Sequence, residues 1–192
     1  MTYTATHHSP HHVPPAYRQH RPSPTGLIVG VGLILAAVVL SVVLLSDRGS
    51  SAPVRVGAAM PDFTLNGVTG EAVHLADYKG QVVLVNAWAT WCPPCKAEMP
   101  TLDDFYRSHH AQGFQLLAIN SGDSQAEVAS FIAQTQYTFP VLLDSGENVL
   151  NRLGVRGLPT SFVVGRDGLV KVIHIGEFLP QDLQAEVAPL LQ

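Results

Sequence analysis

The sequence predicts an α/β fold in which helices flank a central sheet of mixed parallel and antiparallel strands. Two nearly continuous apolar runs, residues 81–89 and 114–120, are typical of strands buried on both faces of a sheet. Helical patterns alternate with the apolar runs, and this alternation favours parallel pairing. Residues 160–176 predict an antiparallel hairpin that turns at Arg166-Asp167-Gly168.

The first 26 residues predict a disordered tail. Residues 1–25 carry five prolines, five histidines and no acidic residue. They lack the apolar periodicity that a packed core requires. Histidines spaced this irregularly do not predict a metal site.

Residues 27–45 predict a transmembrane anchor that precedes the α/β domain. The 19 residues include one serine and no charge, and at ~1.5 Å per residue they can cross a ~30 Å hydrocarbon core. The run is longer than the apolar region of a cleaved signal peptide, which has about 7–15 residues, so we expect the anchor to stay uncleaved. Arg18 and Arg21 precede it without acids, whereas Asp47 and Arg48 follow it. This bias predicts a single-pass cell-membrane protein with a cytoplasmic N-terminus and an exported remainder.

Residues 46–55 predict a linker, and residues 56–192 predict the folded domain. From residue 53 onward the chain has 8 Lys and Arg against 14 Asp and Glu, a net charge of −6. No basic stripe appears, which disfavours nucleic acid as a partner. An exported domain meets oxidising surroundings, in which a close cysteine pair forms a disulfide unless a reductant intervenes.

The elements of the domain follow in chain order. Residues 60–75 predict two short strands around a turn between Asn66 and Gly70. A helix is predicted from Pro93, because proline is tolerated in a first helical turn. Ser124 and Glu127 predict a capping box at the start of the next helix. The remaining predictions are a strand at 140–144, a helix at 146–154 and a closing helix at 180–192.

The segment Trp91-Cys92-Pro93-Pro94-Cys95 holds both cysteines of the chain. A zinc site needs about four ligands, and no histidine lies at ligand spacing, so no metal site is predicted. A structural bridge closing so short a loop would remove little chain entropy. A redox pair explains the position better, since a CxxC beside a βαβ pattern is typical of a thioredoxin-like site.

The two cysteines are predicted to have different tasks. Cys92 falls between a buried strand and a helix N-terminus, which stabilises a nucleophilic thiolate. We expect Cys92 to attack a substrate disulfide and Cys95, one turn into the helix, to release the product. Pro93 and Pro94 have no N–H, so they offer the Cys92 thiolate fewer donors than most dipeptides would. This predicts a reducing couple, with the opposite, a disulfide-forming oxidant, as the alternative.

The segment "NAWATWCPPCKAEMP" resembles the active site of the TlpA/ResA family of membrane-anchored, thioredoxin-like thiol–disulfide oxidoreductases. "MPDF" and "LGVRGLPTSFVV" resemble two further segments of that family. The resemblance implies a thioredoxin-like fold with an N-terminal β-hairpin and a βα insertion near residues 114–143. It also implies that the Cys92–Cys95 disulfide is the only redox group, with no other cofactor.

Individual site residues carry over from the family. Trp91 resembles a tryptophan that flanks the nucleophile, and Pro100 resembles a proline that kinks the active-site helix. Pro159 resembles the cis-proline that faces the disulfide. The resemblance then implies that Leu158, Pro159 and Thr160 bind an extended substrate by strand addition.

Glu98 matches a family glutamate three residues past the second cysteine. On a helix it shares a face with Cys95, and we expect it to relay a proton to or from that cysteine. Thioredoxin itself has a buried aspartate in the preceding strand, where this chain has Asn86, which cannot take a proton. The alternative is that Glu98 is a solvated acid near the helix N-terminus.

The resemblance implies a reductase of disulfides in exported proteins, for example apocytochrome c or proteins of copper-site maturation. Its electrons would come from a membrane thiol-reductant partner. A peroxiredoxin shares the fold but is set aside, because Ala89 stands where those proteins have a threonine. One non-enzymatic function stays open at this point. A chaperone module holding Cu(I) between two thiolates would bind copper without turning over disulfides.

Overall fold

The computed structural model describes residues 53–192, together with Ala37, Val38 and Ser41, which are helical. The chain divides into two units, residues 1–49 and 50–192. The tail predicted for residues 1–26, most of the anchor predicted for 27–45 and most of the linker predicted for 46–55 lie outside the described residues. Within the described residues, no helix is both long enough and apolar enough to cross a membrane.

Seven strands form one sheet in the order β2-β1-β5-β4-β3-β6-β7. The three middle strands β5, β4 and β3 run parallel, and the pairs toward both edges are antiparallel. This is the mixed sheet that the sequence predicts. The strands are β1 (Thr64–Gly67), β2 (Ala72–His74), β3 (Val82–Trp88), β4 (Phe114–Ser121), β5 (Val141–Asp144), β6 (Thr160–Val164) and β7 (Val170–Ile175).

Within residues 53–192, four α-helices accompany the sheet. They are α1 (Pro93–His109), α2 (Gln125–Thr135), α3 (Asn148–Leu153) and α4 (Pro180–Glu186), with short 3-10 segments at Leu75–Tyr78, His110–Gln112 and Ala188–Leu191. The predicted closing helix over 180–192 therefore ends earlier, at Glu186. Pro189 lacks an N–H and restricts the residue before it, so the helix gives way to a 3-10 turn.

Strand β3 is buried along its whole length and carries the core on both faces. Val82, Leu84 and Trp88 face the layer that contains α1, whereas Val83 and Val85 face the opposite layer. Successive side chains of a strand alternate between faces, so Asn86 falls on the α1 face. A polar side chain is thereby placed inside a largely apolar layer.

Local signals fix the helices that surround this core. Ser124 and Glu127 form the predicted capping box, with the Glu127 amide donating to the serine hydroxyl over 3.3 Å. Gly154 ends α3 with a φ of 84°, a left-handed conformation that glycine adopts without steric cost. The segment 114–143, where the sequence predicts a βα insertion, contains β4, α2 and most of β5.

Candidate active site

Cys92 and Cys95 form a disulfide at the start of α1, with their Cα atoms 5.3 Å apart. Cys92 is the N-cap of the helix and has extended backbone geometry, and Cys95 lies one turn further in. Cys92 is 3% exposed and Cys95 is fully buried. Of the two residues, Cys92 alone keeps a small exposed surface, as an attacking cysteine needs.

Pro93 and Pro94 occupy the first two helical positions and supply no N–H to the Cys92 sulfur. The Cys95 amide is the first-turn donor that reaches it, over 3.3 Å. A helix N-terminus that normally offers several N–H groups is thus reduced near Cys92 to one.

Pro100 lies exposed inside α1, where it leaves the carbonyl of Lys96 without a helical donor.

A buried carboxylate holds the segment before the disulfide. Asp123 follows β4 and accepts hydrogen bonds from the Thr90 backbone N–H and from Asn120 Nδ2, both over 2.8 Å. The carboxyl ends of the parallel strands β3 and β4 lie at the same edge of the sheet, which places Asp123 next to the loop that contains Thr90. Sequence reasoning missed Asp123, although an acid two residues after a buried strand is a usable signal.

Glu98 is fully buried in the core layer next to α1, so the alternative of a solvated acid is wrong. Its Oε1 accepts from Asn86 Nδ2 over 2.8 Å, and its Oε2 accepts from the Phe178 backbone N–H over 2.7 Å. Burial raises the pKa of Glu98 from 4.5 to about 7, against the opposing effects of these two hydrogen bonds and of the His174 charge. A carboxyl with this pKa can take up and release a proton near neutral pH.

The Asn86 amide links Glu98 to the neighbouring strand. Its Nδ2 also donates to Ser161 Oγ over 3.0 Å, whereas its Oδ1 has no hydrogen-bond partner within the described residues. A buried acceptor without a partner costs free energy. Sequence reasoning missed Ser161, and its signal is a polar residue inside an apolar strand, two positions after Pro159.

The peptide bond between Leu158 and Pro159 is cis, as the family resemblance implies. The Pro159 carbonyl accepts from the Gly176 amide over 3.0 Å, and the Thr160 hydroxyl donates to the Gly157 carbonyl over 2.7 Å. Within residues 53–192, the amides of Gly157 and Leu158 donate to no protein acceptor. They are therefore available to a bound strand.

Trp91 is 66% exposed beside the disulfide. It borders an open cavity of about 340 Å³. The cavity also reaches Leu158 and the middle of α3, and its lining mixes apolar and charged side chains. Its lining residues are Trp91, Ser121, Glu147, Leu150, Asn151, Val155, Arg156, Gly157 and Leu158.

Among residues 53–192 and the three helical residues before them, no three His, Cys, Asp or Glu side chains lie close enough to hold a metal ion. The chemistry that the site offers from its own atoms is thiol–disulfide exchange beside a buried acid.

Comparisons with known proteins agree with this geometry. The model of the AhpC/TSA family matches residues 56–173. The thiol-disulfide oxidoreductase ResA of Geobacillus thermodenitrificans is 39% identical over 131 residues, which cover 68% of this chain and 75% of that protein.

Solved structures share the fold. A thiol:disulfide interchange protein of the thioredoxin family from Chlorobium tepidum superposes with a TM-score of 0.65 at 26% identity, covering 73% of this chain and all of the other. A secreted thiol-disulfide isomerase from Corynebacterium glutamicum gives a TM-score of 0.63 at 26% identity, over 69% of this chain and 84% of the other.

Proposed function

We propose, from the premise that this chain belongs to the AhpC/TSA family and to its ResA/TlpA-like thioredoxin-fold relatives, that it reduces disulfides in exported proteins. Thiol–disulfide oxidoreductase activity follows from the family. The observation that carries the direction is the first turn of α1, where two prolines leave the Cys92 sulfur a single backbone donor. A poorly stabilised thiolate makes the dithiol a better electron donor.

The proposed reaction moves two electrons from the dithiol to the substrate. The Cys92 thiolate attacks one substrate sulfur, forms a mixed disulfide and releases the first substrate thiol. Cys95 then loses its proton and attacks Cys92 Sγ, which forms the Cys92–Cys95 disulfide and releases the second thiol. A dithiol donor must afterwards reduce the pair again, and we assign this task to a membrane thiol-reductant partner.

Glu98 is the proposed proton acceptor for Cys95. Both side chains are fully buried on one face of α1, three residues apart. Water has little access to the Cys95 thiol, so its proton needs an acceptor inside the protein. A carboxyl with a pKa of about 7 is suited to accept the proton and pass it on at neutral pH.

The proposed substrate strand lies along Leu158, Pro159 and Thr160. The free amides of Gly157 and Leu158 would pair with its backbone. Recognition would then depend on the main-chain geometry of the substrate rather than on its sequence. The exposed Trp91 ring would cover the attacking sulfur on the other side. Apocytochrome c and proteins of copper-site maturation remain the proposed substrate classes.

The proposed location is outside the cytoplasm, on a single-pass anchor over residues 27–45 with a cytoplasmic N-terminus. The uncharged run of 19 residues and the preceding arginines support it. A secreted relative from Corynebacterium glutamicum with the same fold supports an exported domain.

The test is the midpoint potential of the Cys92–Cys95 couple in the purified full-length chain, measured by thiol labelling in redox buffers. We expect a value near that of thioredoxin, about −270 mV, or lower. A value near about −120 mV would instead define a disulfide-forming oxidant and contradict the proposed direction. A variant with Cys95→Ser sets the background of the labelling.

A further inference from the structure

A row of polar side chains crosses the sheet next to α1 and ends at His174. Asn86 of β3 pairs with Ser161 of β6, and Ser161 pairs with His174 of β7. Directly opposed residues of adjacent strands point to the same face of a sheet. His174 therefore lies on the face that holds Glu98, two strands away from Asn86.

The His174 ring is held on three sides. Its Nδ1 lies 3.2 Å from Glu186 Oε2, and its Nε2 lies 3.3 Å from the Glu177 carbonyl oxygen. The ring stacks on Phe178, with centroids 3.9 Å apart and planes 15° from parallel. Carboxylate and carbonyl oxygens only accept hydrogen bonds, so the imidazolium form, which carries a proton on each nitrogen, satisfies both contacts.

Phe178 connects this ring to the buried acid. Its backbone N–H is the donor to Glu98 Oε2, over 2.7 Å, and its side chain is the surface on which His174 stacks. The ring therefore fixes the residue whose amide binds Glu98. In its imidazolium form the ring also brings a positive charge to a carboxylate that has no other cationic partner among the described ion pairs.

We propose that His174 is a positioning residue for the redox step: it orders the Phe178 amide and supplies the charge that balances the Glu98 carboxylate. This inference rests on the proposed function, because it acts only through proton transfer between Cys95 and Glu98. A carboxylate that stays ionised is ready to take the Cys95 proton, whereas a neutral one is not.

The other charged groups near Glu98 and His174 either oppose the effect of His174 on Glu98 or are paired elsewhere. Glu177, in the loop after β7, raises the pKa of Glu98, whereas His174 lowers it. Glu186 of α4 pairs with the ring, and Asp182 of the same helix accepts from the Leu179 amide. Loss of the His174 charge should therefore leave the acidic neighbours unopposed and raise the pKa of Glu98 further.

The experiment follows the step in which Cys95 acts. The reduced full-length chain is mixed with a chromogenic aromatic disulfide in a stopped-flow instrument. Cys92 releases one aromatic thiolate, and the attack of Cys95 on the mixed disulfide releases the second. The aromatic thiolate needs no proton to leave, so the pH dependence of the second phase reports the removal of the Cys95 proton.

In His174→Phe, the ring keeps an aromatic contact with Phe178 but loses its charge. We expect the pH midpoint of the second phase to rise by about 0.5–1 unit. His109→Phe is the matched control, because His109 also stacks on a phenylalanine, Phe105, with centroids 4.0 Å apart. It lies eleven residues from Glu98 along α1, about 16 Å at ~1.5 Å per residue, and should leave the midpoint unchanged.

Two further variants separate charge from fold. His174→Arg keeps a planar cation that can stack on Phe178 and pair with Glu186, so it should retain the wild-type midpoint. His174→Gln keeps a donor without the charge and should raise the midpoint as His174→Phe does. These two variants show whether the charge of His174 sets the pH midpoint even if His174→Phe does not fold. Equal pH midpoints of the second phase in His174→Arg and His174→Gln would overturn the proposal.

The Glu98→Gln background tests whether His174 acts through the Glu98 carboxyl. There the His174→Phe change should produce no further shift, since its effect passes through the carboxyl. A full shift in that background would overturn the proposal while leaving the proposed relay intact. If Glu98→Gln itself does not change the second phase, both the relay and the role of His174 fail. If the wild-type chain releases no aromatic thiolate, the proposed function fails first.

Discussion

Glu98 and Asn86 form a pair whose hydrogen bonds can suit either protonation state of the carboxyl. With Glu98 ionised, Asn86 Nδ2 donates to Oε1, as observed. With Glu98 neutral, the amide can turn so that Oδ1, now without a partner, accepts from the carboxylic acid and from the Ser161 hydroxyl. Asparagine in place of an acid thus lets one buried carboxyl gain and lose a proton without a competing negative charge.

The Glu98→Gln substitution should slow the second thiolate release by about 100-fold at pH 7, because the amide cannot accept the Cys95 proton. The first release, by Cys92, should stay within a factor of about two, since Glu98 bonds Asn86 and Phe178 rather than Cys92. Stopped-flow mixing with the aromatic disulfide resolves both phases.

The control for Glu98→Gln is Asp104→Asn, which removes an exposed carboxylate from the same helix. Both phases should match the wild type in this variant. A second phase that slows equally in both variants would indicate a general change in α1 and would count against the relay.

At the scale of single elements, the start of α1 sets the properties of Cys92. An N-cap side chain accepts from the amides at the second or third helical position. Here the second position is Pro94, and the amide at the third, that of Cys95, makes the observed contact. The element thus presents its positive end with one of the two useful donors removed.

Replacing Pro94 with alanine should restore the missing donor. A hydrogen bond to a charged group contributes about 1.5 kcal/mol, so the reduced form should gain stability and the midpoint potential should rise by about 30 mV. The matched control is Pro93→Ala, whose restored amide at the first helical position is not directed at the N-cap side chain. Thiol labelling in redox buffers measures both. A rise of equal size in the two variants would show that loss of proline rigidity, rather than the donor, is responsible.

Elements with local signals could be predicted from the sequence, and contacts between distant elements could not. The strands β3 and β4, the Ser124 capping box and the position of Cys92 depend on neighbours in sequence. Glu98 was identified because it matches a family glutamate and because its spacing from Cys95 is local. Its donor Phe178 lies 80 residues away in a loop without a recognisable pattern, and only the assembled fold brings it close.

At the scale of the whole molecule, the buried acid should make stability depend on pH. Glu98 has a pKa of about 7 in the folded oxidised chain, against 4.5 as the ordinary value. Between these values the folded state holds a proton that the unfolded state has lost. The contribution is therefore fully present below about pH 4.5 and is lost as the pH rises through about 7. The exposed acids with a lowered pKa, Glu71, Glu127 and Asp167, act below this window.

We therefore expect the free energy of unfolding of the oxidised full-length chain to fall by about 3 kcal/mol between pH 4.5 and pH 8. Urea titrations followed by the near-ultraviolet signal of the buried Trp88 measure it in detergent solution. Glu98→Gln, which imitates the neutral acid, should abolish this slope, and Asp104→Asn should retain it. A slope that persists in Glu98→Gln would assign the pH dependence to other groups. Its loss would show that burying the ionisable Glu98, three residues past Cys95 on the same helix, costs the protein stability at neutral pH.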